Sequence, residues 1–158
     1  MTNPVIGTYG HGTENDFVLV YDPENSFTIS EAQISAICNR STGIGADGFI
    51  RITKADGKWF MDYRNADGSK AEMCGNGIRV FARYLTTRGL ASIIDGSTLP
   101  VATRNGVKDL TSTSTGFAVD LGRWGVDSDD YLVKAEGISV ARPGLGLNLG
   151  NPHVVVAL

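Results

Sequence analysis

The segment Asn76–Arg88, NGIRVFARYLTTR, constrains the fold more than any other stretch of these 158 residues. At helical spacing, Ile78, Val80, Phe81, Ala82, Tyr84 and Leu85 spread around most of the circumference. Only Arg79, Arg83 and Thr86 share a narrow polar stripe at i, i+4 and i+7. A helix that is apolar on so many sides is buried within a domain rather than laid upon it. Strands wrapped around a central helix meet that requirement, and Gly89 offers a C-terminal stop.

The rest of the chain supplies strands. Glycine accounts for 20 residues, nearly twice the usual share of about 7%, and with no repeat this excess signals many turns. DFVLVYD (Asp16–Asp22) reads as a strand, and FIRIT and KWFMDYRN read as a hairpin joined by KADG. Between them ISEAQISAICNR is a helix. Ser30 caps it, Gln33 completes a capping box, Ile29 staples against Ile34, and the end falls near Arg40. Beyond Gly89, TLPVATR, an Asn105-Gly106 turn, VKDLTST and FAVDLG continue the β pattern.

GRWGVDSDD (Gly122–Asp130) is polar and turn-rich, which marks a boundary between a domain over 1–122 and a remainder over 123–158. That remainder holds a linker and a few strands, too few to bury a core of their own. The expectation is the opening of an incomplete second domain.

Composition excludes several classes. A net charge of −3 with no Lys/Arg run argues against nucleic-acid or membrane partners. The start MTNPVIGTYGHG lacks a basic and then apolar leader, so a cytoplasmic protein is expected. The NRS sequon at Asn39 then carries no meaning. GIGADG (Gly43–Gly48) matches a dinucleotide fingerprint in letters, but here a helix precedes it and a strand follows, the reverse of what pyrophosphate binding needs. No local His/Cys spacing suggests a metal, and nothing calls for a cofactor.

Cys74 stands directly before Gly75-Asn76-Gly77, at the start of the buried helix. For an arbitrary cysteine the default is a small buried hydrophobe, and Cys38, late in the first helix beside Ile37, fits that default. The surroundings of Cys74 differ. A helix N-terminus carries unpaired N–H groups and about half a positive charge, which favours thiolate and can bring a cysteine pKa into the ~3.5–7.5 range. Gly75 and Gly77 let an anion approach the backbone closely. One short segment thus offers a nucleophile or base beside a carboxylate cradle. Pairing of Cys74 with His11 or His153 as a protease-like dyad has no local signature.

NADGSKAEMCGNGIRVFARYL (Asn65–Leu85) closely resembles the active-site segment of the diaminopimelate epimerase family, amino-acid epimerases that work without pyridoxal phosphate. HGTENDFVLVYD, STGIGADGFI and LGNPHVVV resemble other family segments in the same order. Proline racemases carry Cys-Gly-His where this chain has Cys74-Gly75-Asn76, and phenazine-type isomerases lack the cysteine, so both are poorer matches.

The resemblance implies an α+β fold: a barrel-like, largely antiparallel sheet around a central helix, then the first strands of a second similar domain. It implies conversion of LL- to meso-diaminopimelate by two thiols on opposite faces of the α-carbon. Cys74 would be one of them. Gly75 and Asn76 would hold the substrate carboxylate through N–H groups. Asn15, Asn65 and Asn151 would contact the substrate, and His153 would help to set the thiol ionisation. Gly48 stands where many members have a substrate-binding Gln.

The family's second cysteine segment, Ala-Cys-Gly-Ser/Thr-Gly, has no counterpart in these residues, and Cys38 occupies a different family position. The expectation is half of an epimerase site. Three readings stay open: an epimerase sequence cut short, an enzyme completed by a second copy or a separate C-terminal half, and a non-catalytic amino-acid or anion-binding module.

Overall fold

A computed structural model describes residues 5–94, 96–150 and 152–157. The chain falls into two compact units, dividing after Asp120.

The first unit is a seven-stranded sheet in sequence order. It runs β1 (Gly7–Gly12), β2 (Asn15–Tyr21), β3 (Gly48–Ala55), β4 (Lys58–Asn65), β5 (Thr98–Thr103), β6 (Gly106–Thr113) and β7 (Gly116–Val119). Helix α1 (Glu31–Cys38) lies between β2 and β3, and helix α2 (Gly75–Thr87) between β4 and β5. Those two joins are the parallel ones; the other neighbours pair antiparallel. Helix α2 touches β2, β3 and β4 in the middle of the sheet and also the edge strands β1 and β7. A sheet whose two edges both reach one helix is curled around it, as the apolar circumference of that helix requires. Ile78, Phe81, Ala82 and Leu85 are fully buried.

The strand DFVLV is buried on both faces, which explains its unbroken apolar run. Phe17 and Ile50 approach Gly77 of α2 on one side. On the other side, Val18, Val20 and Phe49 pack with Ile34 and Cys38 of α1, and Ile29 joins them as the expected staple. Ser30 caps α1 with Gln33 in the full reciprocal box. The β3–β4 hairpin turns through Asp56 and Gly57, both at positive φ as a two-residue type I′ turn demands. Strand β1 has no strong pattern and was not anticipated as a separate element. It is defined by pairing along its whole length with β2.

The second unit is a three-stranded antiparallel sheet of order β10-β9-β8, with β8 (Gly125–Val133), β9 (Arg142–Asn148) and β10 (Pro152–Val156). Here the sequence expectation needs correction. Gly125–Asp130, taken as part of a polar linker, is strand. It is an edge strand with an irregular register between Val126 and Asp130, and charged residues and bulges are how exposed edges avoid further pairing. Among the described residues no helix is long and apolar enough to cross a membrane.

One buried charge cluster braces the first unit. Asp62 of β4, only 3% exposed, accepts from Arg51 (3.2 Å), Arg64 (3.0 Å) and Arg104. Arg104 also donates to the carbonyls of Tyr63 (2.6 Å) and Ala71 (3.0 Å), tying down the segment that leads to α2. Burial disfavours the Asp62 carboxylate, but hydrogen bonds from Arg64 and Arg104 outweigh it and hold its pKa below the ordinary value. Removing this carboxylate leaves three partly buried guanidinium groups short of a partner, so Asp62→Ala should lower the unfolding free energy by about 3 kcal/mol in urea titrations. A depressed carboxylate pKa stabilises the fold above the unfolded value of about 3.9 and loses that contribution as pH falls towards the folded value. The wild type should therefore lose stability below roughly pH 4, and the variant should show a shallower loss there.

Candidate active site

Topology collects the site at one end of the curled sheet. Strands β2 and β3 are parallel and begin at the same end, with Gly48 paired to Phe17, two residues beyond Asn15. Strand β4 runs antiparallel to β3 and ends there at Asn65, paired with Gly48. The chain then loops through residues 66–74 and enters α2 at the same end.

Cys74 is the N-cap of α2, with extended backbone and its own side chain as the capping group. The Gly77 N–H donates to Cys74 Sγ at 3.4 Å, and the Ile78 N–H donates to the Cys74 carbonyl at 2.9 Å. The N–H groups of Gly75 and Asn76, in the first turn, have no intrahelical acceptor and point off the helix end. The Cys74 S–H donates to Asn15 Oδ1 at 3.6 Å, and Asn76 Nδ2 donates to the same oxygen at 3.4 Å. Three residues singled out in the sequence, Asn15, Cys74 and Asn76, thus meet directly.

Charged groups that the sequence did not single out surround this trio. Asn15 Nδ2 donates to Asp47 Oδ2 at 2.7 Å. Arg40 bridges Asp47 and Asp16, with 2.8 Å contacts to each. The Arg40 hydrogen bond holds the Asp16 carboxyl well below the usual carboxylate range, against the effect of its burial. On the helix side, Arg79 donates to Asn76 Oδ1 and, at 3.1 Å, to Thr13 Oγ1. Thr13 and Glu14 form the β1–β2 turn at φ 55° and 64°, a conformation that suits neither residue. The strain sits next to Asn15.

Asn65 lies at the end of β4 and is exposed. Its amide is occupied locally: Nδ2 donates to Ser69 Oγ at 3.0 Å, and Oδ1 accepts from the Tyr63 hydroxyl at 3.2 Å. Tyr63 is a further residue missed in the sequence. It is 7% exposed and packs edge-on against Phe17. Burial, followed by the nearby charges of Cys74 and Asp47, pushes its pKa up. It also explains Gly48: a Cβ there would lie 2.6 Å from Tyr63 Cε2 and 2.8 Å from the Arg64 carbonyl oxygen.

Cys38 is buried, and its pKa is raised chiefly by that burial, in line with an inert packing role. His153 lies exposed on β10 in the second unit. Asn151 falls outside the described residues. Among the described residues no cluster of three or more His, Cys, Asp or Glu is arranged to hold a metal ion.

The fold is that of the proline racemase and epimerase class. A probable proline racemase from Agrobacterium radiobacter K84 superposes with a TM-score of 0.70 at 9% identity, over 97% of this chain and 52% of that one. At such identity the likeness concerns fold alone. Sequence carries the finer assignment, because residues 7–124 match the family model described as diaminopimelate epimerase. The diaminopimelate epimerase of Streptomyces coelicolor is 45% identical, over 92% of this chain and 53% of its own length. That of Thermobifida fusca is 39% identical, over 92% and 57%. This chain belongs to the diaminopimelate epimerase family, and it spans just over half the length of these relatives.

Two substitutions check the local geometry. Gly48→Ala should destabilise the protein by about 1–3 kcal/mol, because the Tyr63 ring and a backbone carbonyl must both give way. Glu14→Gly should stabilise it by about 1 kcal/mol by relieving a positive φ. Thermal or urea unfolding measures both.

Proposed function

We propose that this chain provides the Cys74 half of a diaminopimelate epimerase site, in which the thiol carries a proton to or from the substrate α-carbon. One observation supports this most: the family's cysteine caps a helix whose first N–H groups are free, against the amides of Asn15 and Asn76. An α-carbon acid needs two things at once. A base must stand close to the C–H, and donors must face the carboxylate that takes up the electron pair. The Cys74 sulfur meets the first need. The Gly75 and Asn76 N–H groups, helped by the helix dipole, meet the second.

In the forward direction the Cys74 thiolate takes the α-proton as an S–H, and the C–H electron pair moves into the carboxylate. A second acid on the opposite face then returns a proton and inverts the centre. That acid is assigned to the portion of the relatives' length that this chain does not span, or to a partner chain. Asn15, Asn65 and Asn151 are proposed substrate contacts, with His153 acting on the thiol. The relatives' names favour diaminopimelate over the proline-type alternative, which has only a likeness of fold behind it.

Incubating the chain with LL-diaminopimelate in D₂O, with NMR following the α-position, tests the reading. Cys74→Ala is the control. Deuterium incorporation with inversion, abolished in the variant, supports a complete epimerase site. Incorporation without inversion supports one working base and no opposing acid. No incorporation by folded protein, alone or mixed with a family C-terminal half, defeats the catalytic proposal and leaves a binding module.

A further inference from the structure

We infer that Asp47 is a positioning residue that fixes which end of the Asn15 side-chain amide faces Cys74. An amide presents an oxygen or an NH₂ with almost the same shape, so packing alone does not choose between them. Charge does. A carboxylate only accepts, and Asp47 Oδ2 is placed to receive Asn15 Nδ2 at 2.7 Å and the Asp16 N–H at 3.1 Å. Its other oxygen receives Arg40 at 2.8 Å. The Asn15 nitrogen is thereby committed to Asp47, and its oxygen is left for Cys74 Sγ and for Asn76 Nδ2. The far end is fixed by the same logic with the opposite sign. Arg79 only donates and holds Asn76 Oδ1, so the Asn76 nitrogen turns towards Asn15. A carboxylate and a guanidinium thus set the polarity of two amides in series, and the thiol meets an acceptor.

The catalytic importance of this orientation rests on the proposed role of Cys74, but its test needs no turnover. Asp47→Asn keeps the shape and reverses the logic. Arg40 is the charged donor and keeps the remaining oxygen, so the new NH₂ stands where Oδ2 was, the Asp16 N–H loses that acceptor, and the Asn15 amide must rotate and present its own NH₂ to the sulfur. The thiolate would then receive an N–H from Asn15 in addition to that of Gly77. Alkylation of Cys74 by iodoacetamide, read by mass spectrometry on its own peptide, should speed up by about tenfold. Asp47→Glu retains an acceptor and should stay within about twofold of the wild type. Arg40→Gln leaves the Asp47 charge in place and should also stay within about twofold.

A wild-type rate in Asp47→Asn would overturn the inference. So would an equal effect of Arg40→Gln, since that would mean that Asp47 acts only by holding the turn. If Asp47→Asn does not fold, side-chain ¹⁵N–¹H spectra of the wild type decide. The Asn15 NH₂ protons should lie downfield and exchange slowly with solvent because Asp47 holds them, and NH₂ signals at the positions of a solvent-exposed amide would sink the idea. A chain that fails to exchange the α-proton would leave both of these readouts intact, so the two proposals fail separately.

Discussion

The burial of α2 is the constraint on which the first unit depends. Its apolar residues face too many directions for a flat sheet to cover, and the sheet responds by curling until β1 and β7, its two edges, both touch the helix. That closure fixes more than the core. It brings the β1–β2 turn against the first turn of α2, close enough that a Cβ on Gly12 would lie 3.1 Å from Val80 and 3.3 Å from the Asn76 carbonyl oxygen. The strained Thr13-Glu14 turn is held at the helix start by this approach and by Arg79. Asn15 reaches Cys74, 59 residues away in sequence, because the helix has to be wrapped.

A thiol at the mouth of a buried helix also needs a fixed approach path for the chain. The loop between Asn65 and Cys74 is short and mostly polar; Met73 and Ala66 hold it to the core, and its polar backbone needs a separate hold. Arg104 supplies it from β5's end, bonding the Tyr63 carbonyl before the loop and the Ala71 carbonyl within it while sharing Asp62 with Arg51 and Arg64. Within the loop, Asp67 accepts from both the backbone and the hydroxyl of Ser69, and Asn65 grips that same hydroxyl. The buried cluster is therefore tied to site geometry as well as to stability, which gives a buried charge network a role that a hydrophobic replacement would not fill.

The features that could be read from the sequence are those with local causes. The capping box at Ser30, the Asp56-Gly57 turn and the broad apolar face of α2 each follow from residues within a few positions of one another. The Asn15, Cys74 and Asn76 grouping came through resemblance, and it proved to be a physical contact. What escaped depends on partners distant in sequence. Asp47 looked like one letter of a glycine-rich turn until Asn15 and Arg40 were brought to it. Tyr63 looked like a core aromatic until Gly48 and Asn65 were paired across β3 and β4. The strand Gly125–Val133 was mistaken in part because acidic side chains on an exposed edge resemble a linker in composition.

A thiol in the role proposed for Cys74 must take a proton in one direction of the reaction and give it up in the other, so it needs partners for both states. Cys74 has one neighbour suited to each. The Asn15 oxygen can receive the S–H, aiming the proton along a defined line, while the Gly77 N–H, in the first turn of the helix, can stabilise the sulfur once the proton has left. Two donors would bias the group towards a base, and two acceptors towards an acid. In the proposed role, one of each gives the sulfur a partner in both directions of transfer. On this view the amide orientation matters more than the number of polar contacts, because rotation of a single side chain would turn a balanced site into a one-way one.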